Sequence, residues 1–206
     1  MSMVIAISLL LLSYVVGSLP VGLWVGFARG VDIRRIGSGN IGATNMVRNL
    51  GWGPGLVVFA LDMAKGMAPV LLAKSLQPDE WRGAVPVVCA ALAIAGHIFS
   101  PFLRFRGGRG VTTSLGVLLA LDWRVGLAGF GAWLAAVLIA RIVSIASIIA
   151  AASVPTLFWL FRDPQPYLWF GFSAAAIVIA RHWPNIKRLV RGTEPRWGAR
   201  DVKRET

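Results

Sequence analysis

The run MVIAISLLLLSYVVGSLPVGLWVGFA, Met3 to Ala28, decides the fold class. At about 25 residues it is long enough to cross a bilayer, it exceeds the roughly 7 to 15 residues of a signal-peptide core, and no positive flank precedes it. We read it as a retained spanning helix. Further apolar runs follow at Pro54 to Leu76, Ala84 to Leu103, Val111 to Leu121, Val125 to Ala140, Ile142 to Phe161 and Tyr167 to Ala180, separated by short polar or Pro/Gly-rich breaks. The expectation is therefore an all-α, polytopic bundle of seven transmembrane segments forming one domain over residues 1–206. Val111 to Leu121 and Tyr167 to Ala180 fall below the roughly 17 residues needed to cross at 1.5 Å each, so they either extend into their flanks or dip and return.

Composition agrees. Of 206 residues, 56% are hydrophobic and 15% charged, against roughly 25% charged in a soluble domain, which excludes a soluble enzyme. The net charge is +12, from 17 Arg and 4 Lys against 9 acids. A nucleic-acid-binding domain would need a continuous basic face, whereas these cations sit in islands between apolar runs, as membrane proteins place them. No nucleic-acid partner is expected. Cys89 lies alone in an apolar run and reads as a small filler.

Cytoplasmic loops are the ones enriched in Lys and Arg. With seven spans and the N-terminus outside, sixteen cations fall inside, among them Arg29, Arg34, Arg35, Arg48, Arg104, Arg106, Arg109, Arg141 and the tail from Arg181 through Arg200, Lys203 and Arg204. Only Lys74, Arg82, Arg124 and Arg162 fall outside, and Lys65 lies within a span. The N-out, C-in orientation follows. It brings three polar stretches to one membrane face, where one site can use them all. There is no internal repeat, and the spacing of Gly22 and Gly26 signals helix contact.

The first stretch reads Gly37-Ser38-Gly39-Asn40-Ile41-Gly42-Ala43-Thr44-Asn45-Met46-Val47-Arg48. Small residues let the backbone approach a ligand, Ser, Thr and Asn supply neutral donors, and Arg48 supplies a planar fork suited to phosphate. An anion cradle is one reading and an ordinary Gly/Asn turn the other. It is neither a serine-hydrolase elbow, since position 36 is Ile, nor a Walker loop. The second stretch, Arg104-Phe105-Arg106-Gly107-Gly108-Arg109-Gly110-Val111-Thr112-Thr113, places three glycines around an arginine just before a helical run. A Gly-rich turn opening a helix presents free N–H groups and a positive dipole end, so Arg109 would add charge to a phosphate site. Arg104 and Arg106 fit a simple loop anchor. The third stretch, Arg181-His182-Trp183-Pro184-Asn185-Ile186-Lys187-Arg188 through Gly192-Thr193-Glu194, leaves the last span. His182 suits a neutral imidazole exchanging one hydrogen bond, and Asn185 shares its face if the helix continues past Pro184. An interfacial Trp183 anchor with solvated basic neighbours is the alternative, and Glu194 suits a brace to a nearby Arg. Inside the membrane, Asp62 and Lys65 are spaced to pair, and buried ionisable groups are either a compensated pair or functional. Arg141, Ser144 and Ser147 open the sixth span, and His97 reads as a packing residue.

These residues resemble a known family. Gly-Ser-Gly-Asn-Ile-Gly-Ala-Thr-Asn with Arg48, the Phe-Arg-Gly-Gly-Arg-Gly-Val loop, Arg-His-Trp-Pro-Asn-Ile with Gly192-Thr193-Glu194, and Asp62-Met63-Ala64-Lys65-Gly66 are similar to the bacterial acyl-phosphate:glycerol-3-phosphate acyltransferases over nearly the whole chain. Arg106 and Arg109 stand where the family commonly carries Lys, which keeps the charge but replaces a point-like ammonium with a bulkier fork.

The resemblance implies transfer of a fatty acyl group from acyl phosphate to the 1-hydroxyl of sn-glycerol 3-phosphate, giving lysophosphatidic acid and phosphate. It implies a bacterial inner-membrane protein with a cytoplasm-facing site and membrane lipid around it, and we expect a monomer. Two phosphate-bearing substrates account for two basic Gly-rich loops. The soluble acyltransferase signature of His, four residues, then Asp is absent, because Phe102 follows His97 and Lys187 follows His182 at that spacing. Acyl phosphate is already an activated mixed anhydride, so orientation and charge stabilisation could supply most of the acceleration, without metal, cofactor or covalent enzyme intermediate. The expected catalytic set is His182, Asn185 and Ser38. The expected binding set is Gly39, Asn40, Thr44, Asn45, Arg48, Gly107, Gly108, Arg109, Gly110 and Ser147. Ser38, Asn40, Thr44 and the loop backbone would hold acyl phosphate, and Arg48, Arg109 and Ser147 the glycerol phosphate. His182 and Asn185 would position the hydroxyl, with the proton going to His182 or to a substrate phosphate oxygen. A transporter of a phosphorylated metabolite is the rival, but it predicts polar groups through the whole membrane thickness. A phosphatidyl-group transferase would need an Asp-rich metal motif that nine scattered acids do not provide.

Overall fold

The computed structural model describes residues 3–76 and 83–198, so the Gln77 to Arg82 loop and the tail cations Arg200, Lys203 and Arg204 lie outside the described residues. All regular structure there is helical: α1 (Met3–Ser18), α2 (Val21–Phe27), α3 (Ala43–Leu50), α4 (Trp52–Leu76), α5 (Ala84–Ile98), α6 (Val111–Leu121), α7 (Trp123–Ala140), α8 (Val143–Leu160), α9 (Gln165–Arg181) and α10 (Trp183–Val190). Helices close every backbone hydrogen bond within one segment, which is what an apolar run in lipid requires. Five segments are long and apolar enough to cross a membrane: Met3–Phe27, Trp52–Leu76, Ala84–Leu103, Trp123–Ala140 and Val143–Leu160. α6 is shorter, and α9 has 17 residues.

Three features differ from the sequence reading. The first apolar run is not one helix: the chain turns at Leu19 and Pro20 before α2 begins, with Lys65 of α4 holding the Leu19 carbonyl at the bend. The Gly/Asn-rich stretch is not all loop, since from Ala43 it is the amphipathic helix α3, capped by Gly42. The third polar stretch does not continue α9. His182 ends that helix and starts α10, with Pro184 in the first turn, where its missing N–H costs nothing.

α4 is the central post, packing on α1, α3, α5 and α6, while α7 packs on α8 and α8 on α9. The main apolar core joins Val70 of α4, Ile94 and Ile98 of α5, Val117 and Leu121 of α6, Phe158 of α8 and Phe170 of α9. Large apolar side chains such as Leu11, Leu56, Leu138, Ile139 and Trp159 stand exposed, an arrangement suited to lipid rather than water. At the far end of α6 from its glycine turn, Lys74 donates to the carbonyls of Ala120 (2.9 Å) and Leu121 (3.0 Å), closing off orphan acceptors of that helix end. Beside it Asp122 accepts from the guanidinium of Arg124, which also lies 3.9 Å from Asp163.

Candidate active site

The first polar stretch is organised by one buried amide. Asn45 Oδ1 accepts from the backbone N–H of Ser38 at 3.0 Å, and its Nδ2 donates to the carbonyls of Asn40 (2.9 Å), Ile36 (3.2 Å) and Ile33 (3.3 Å). Asn49 adds a donor to the same Oδ1 at 3.0 Å. Asn45, expected as a ligand, is therefore the loop's brace. It leaves Ser38 exposed and Gly39, Asn40 and Thr44 half-buried at the loop surface. The loop feeds into α3, whose first N–H groups point out of its N-terminus, a favourable place for an anion. Gly39 lines one wall of a cavity of about 760 Å³, and Gly107, Arg104 and Arg106 from the second loop line the other.

The second loop is pinned from two sides. Gly107 and Gly108 donate their N–H groups to the carbonyls of Ile98 (3.0 Å) and His97 (3.2 Å), so the loop folds back on the end of α5. Arg181 Nη2 donates to the carbonyls of the same two glycines at 3.3 and 3.4 Å. Gly110 then enters α6 with φ +83, a left-handed conformation that a residue with a Cβ adopts only at a cost. The turn brings the open N-terminus of α6 beside Arg109. Burial first, and the neighbouring cations Arg188, Arg48 and Arg181 next, push the Arg109 guanidinium down to about 10, against the opposing pull of Glu194. Arg109 is thus still charged at neutral pH, and its electrostatic neighbours come from all three polar stretches.

The third stretch carries the candidate acid–base groups. His182 is 1% exposed, and its Nδ1 lies 2.7 Å from the carbonyl of Val178. A ring nitrogen facing a carbonyl carries the proton, so Nε2 is left as the acceptor. Burial, with Arg109 and Arg181 behind it, lowers the imidazole's pKa despite that hydrogen bond, so the ring is neutral at pH 7. Asn185, 2% exposed, donates from Nδ2 to Glu194 at 2.6 Å, while its Oδ1 is buried with no partner among the described residues. Glu194 also accepts from Arg188 Nε at 2.7 Å. Burial raises its carboxyl, but the interactions with Asn185, Ser144 and Arg188, in that order, outweigh that and hold it below the usual carboxylate range. Arg48 closes the ring by donating to the carbonyl of Pro195 at 3.2 Å.

The structure thus brings Arg48, Arg109, His182 and Asn185 together as expected and adds Arg181, Arg188 and Glu194. Ser147 is otherwise engaged. It donates to Val143 O at 2.9 Å and accepts from Trp133 Nε1 at 3.3 Å, whereas the Ser144 hydroxyl, one turn earlier, is buried close to Glu194. No group of three His, Cys, Asp or Glu side chains spaced to hold a metal occurs among the described residues.

Fold and site define a helical membrane protein in which several arginines and the N-terminus of α6 lie beside a buried, neutral histidine. Residues 7–192 match the family model described as glycerol-3-phosphate acyltransferase. The chain is 48% identical over 187 residues to a glycerol-3-phosphate acyltransferase of Synechococcus sp. (strain JA-3-3Ab), covering 90% of each. It is 50% identical over 193 residues to glycerol-3-phosphate acyltransferase 2 of Moorella thermoacetica, covering 93% of this chain and 97% of that one. Among solved structures it resembles PlsY (YgiH), an integral membrane glycerol 3-phosphate acyltransferase. The glycerol 3-phosphate form matches with TM-score 0.88 and 40% identity over 94% of this chain and 96% of that one, and the lysophosphatidic acid form with TM-score 0.86 and 39% identity over 94% and 95%. The chain belongs to the glycerol-3-phosphate acyltransferase family.

Proposed function

We propose that this membrane acyltransferase takes its acyl group from acyl phosphate and delivers it to the 1-hydroxyl of sn-glycerol 3-phosphate, forming lysophosphatidic acid and inorganic phosphate. The observation that carries this reading is that Arg48, Arg181 and Arg188, from two other polar stretches, all act on the buried Arg109, opposed by the carboxylate of Glu194. Such an excess of positive charge next to the N-terminus of α6 suits phosphate groups on both substrates, not one alone. The reading further has seven crossings with the N-terminus outside, which puts the three polar stretches on the cytoplasmic face of a bacterial inner membrane. The unit is one chain in lipid.

In the proposed reaction the hydroxyl oxygen attacks the acyl carbonyl carbon, the bond from that carbon to the phosphate oxygen breaks, and phosphate leaves with its electron pair. The hydroxyl proton goes to His182 Nε2 or to a phosphate oxygen of the substrate. His182 and Asn185 would position that hydroxyl, and the arginines would balance charge as phosphate departs. The acyl tail would lie along the apolar exterior, so only the two head groups need enter the loops.

The test is phosphate release by the purified, detergent-solubilised protein given palmitoyl phosphate and glycerol 3-phosphate with EDTA present, acyl-CoA serving as the alternative donor. Release that requires both substrates and yields lysophosphatidate supports the reading. Turnover with acyl-CoA alone would refute the donor assignment. For the proton, His182→Gln decides: a thousandfold or greater fall in turnover with binding intact argues against a purely substrate-assisted transfer.

A further inference from the structure

The polar groups buried within the bundle are not used by the reaction above. Asp62 is 1% exposed, Lys65 5% and His97 4%, and they meet between α4 and α5. Lys65 Nζ lies 2.8 Å from Asp62 Oδ1 and donates to the carbonyl of Leu19, also at 2.8 Å. His97 turns Nδ1 toward the same Asp62 oxygen at 3.8 Å, an electrostatic approach too long for a hydrogen bond. A charged pair at this depth is expensive, and apolar residues of similar volume would pack as well, so simple stability is a weak reason for it.

What the cluster touches gives a stronger one. On one side, the opposite edge of the His97 ring presses on the second loop, so that a Cβ at Gly108 would fall 2.2 Å from Nε2, and the His97 carbonyl receives the Gly108 N–H. On the other side, Lys65 holds the carbonyl at the break between α1 and α2, and three residues later Gly22 abuts the first loop, where an added Cβ would fall 1.8 Å from the carbonyl oxygen of Ile41. A continuous set of contacts therefore runs from Ile41 through Gly22, Leu19, Lys65, Asp62 and His97 to Gly108, joining the two loops through the protein interior. Gly66, next to Lys65, meets the carbonyl of Thr113 at the start of α6 in the same manner.

We propose that Asp62, Lys65 and His97 are positioning residues that fix the separation between the two phosphate-facing loops, and hence the placement of Arg109 relative to Arg48. None of the three touches substrate. The inference rests on the reading of these loops as the phosphate site, and the test keeps the two apart by measuring glycerol 3-phosphate binding by calorimetry alongside turnover.

The central variant replaces both charges at once, Asp62→Leu with Lys65→Met, so that no unpaired charge is buried. The expected result is a thermal midpoint in detergent within a few degrees of wild type, but a glycerol 3-phosphate Kd and KM raised tenfold or more while kcat changes less than threefold. A second comparison does not depend on that pair folding. His97→Leu should show the same binding defect, and His97→Gln, which keeps a polar group against Gly108, should recover most of it. The proposal is overturned if the paired variant folds and binds glycerol 3-phosphate like wild type, or if His97→Leu and His97→Gln are indistinguishable. A wild-type protein that binds glycerol 3-phosphate yet transfers no acyl group would overturn the reaction reading instead, and the binding comparison would still decide this one.

Discussion

Glu194 offers the sharpest test of the site, because changing it to glutamine should move binding and catalysis in opposite directions. Its side chain is 6% exposed and accepts from Asn185 Nδ2 at 2.6 Å and from Arg188 Nε at 2.7 Å. Glutamine has one acceptor oxygen and one donor amide, so Glu194→Gln keeps one of these bonds and sets a donor against a donor at the other. A hydrogen bond to a charged group contributes about 1.5–3 kcal/mol, and the loss of one, at about 1.4 kcal/mol per tenfold, corresponds to a fall of roughly 10- to 100-fold. That loss should appear in kcat, since Asn185 would no longer present its unpartnered Oδ1 in a fixed position. Glycerol 3-phosphate should bind at least as tightly, because the arginine group loses the one carboxylate opposing it and becomes more positive. Phosphate release and calorimetric binding on the same preparation separate the two. A variant with kcat within twofold of wild type, or with KM raised as kcat is preserved, would refute the argument that Glu194 works by orienting Asn185.

Arg109→Lys keeps the charge and should leave turnover within about threefold, whereas Arg109→Gln removes a charge-assisted contact to phosphate and should raise the glycerol 3-phosphate KM roughly 10- to 100-fold. Gly110→Ala forces a Cβ onto a left-handed residue with φ +83 and within 3.2 Å of Ile98 Cδ1, so thermal unfolding should show a loss of about 1–2 kcal/mol together with reduced activity. On the far side of α6, burial and then the charge of Asp122 raise the Asp163 carboxyl to about 6. A folded-state pKa above the unfolded value means stability that is present at low pH and declines as pH rises through about 6. Asp163→Asn, fixed in the neutral form, should therefore melt higher than wild type at pH 7.5 and match it near pH 4, and equal midpoints at pH 7.5 would refute the buried like-charge pair.

The membrane helices were legible because an apolar run long enough to span is a signal that needs no partner. Their interruptions were not. Pro20 breaks the first run, yet Pro69 and Pro155 sit inside unbroken α4 and α8, so proline alone does not say which helix will turn. What differs at Pro20 is tertiary: Lys65, 46 residues away, holds the carbonyl at the bend. The site divides the same way. Arg48, Arg109, His182 and Asn185 could be named from residue chemistry and loop position. Asn45 was read as a ligand because an amide in a Gly-rich loop looks the same whether it faces a phosphate or its own backbone. Which of Ser144 and Ser147 Trp133 reaches and which lies by Glu194 is set by tertiary packing, and the Glu194 bond to Asn185 crosses the turn after α10, which no spacing rule encodes.

The arginines meet two physical demands at once. The Lys/Arg bias of membrane-protein loops asks only for charge near the interface. Arg104 and Arg106 satisfy it while exposed. Arg109 goes further: burial lowers its pKa, and the charges of Arg188, Arg48 and Arg181 lower it too, against the opposing pull of Glu194. A fold keeps such repulsion when something anionic relieves it, and two phosphate head groups would do so while the acyl chain stays in lipid. In the proposed reaction an activated donor would need little more than the neutral imidazole of His182 and the fixed amide of Asn185 beside it.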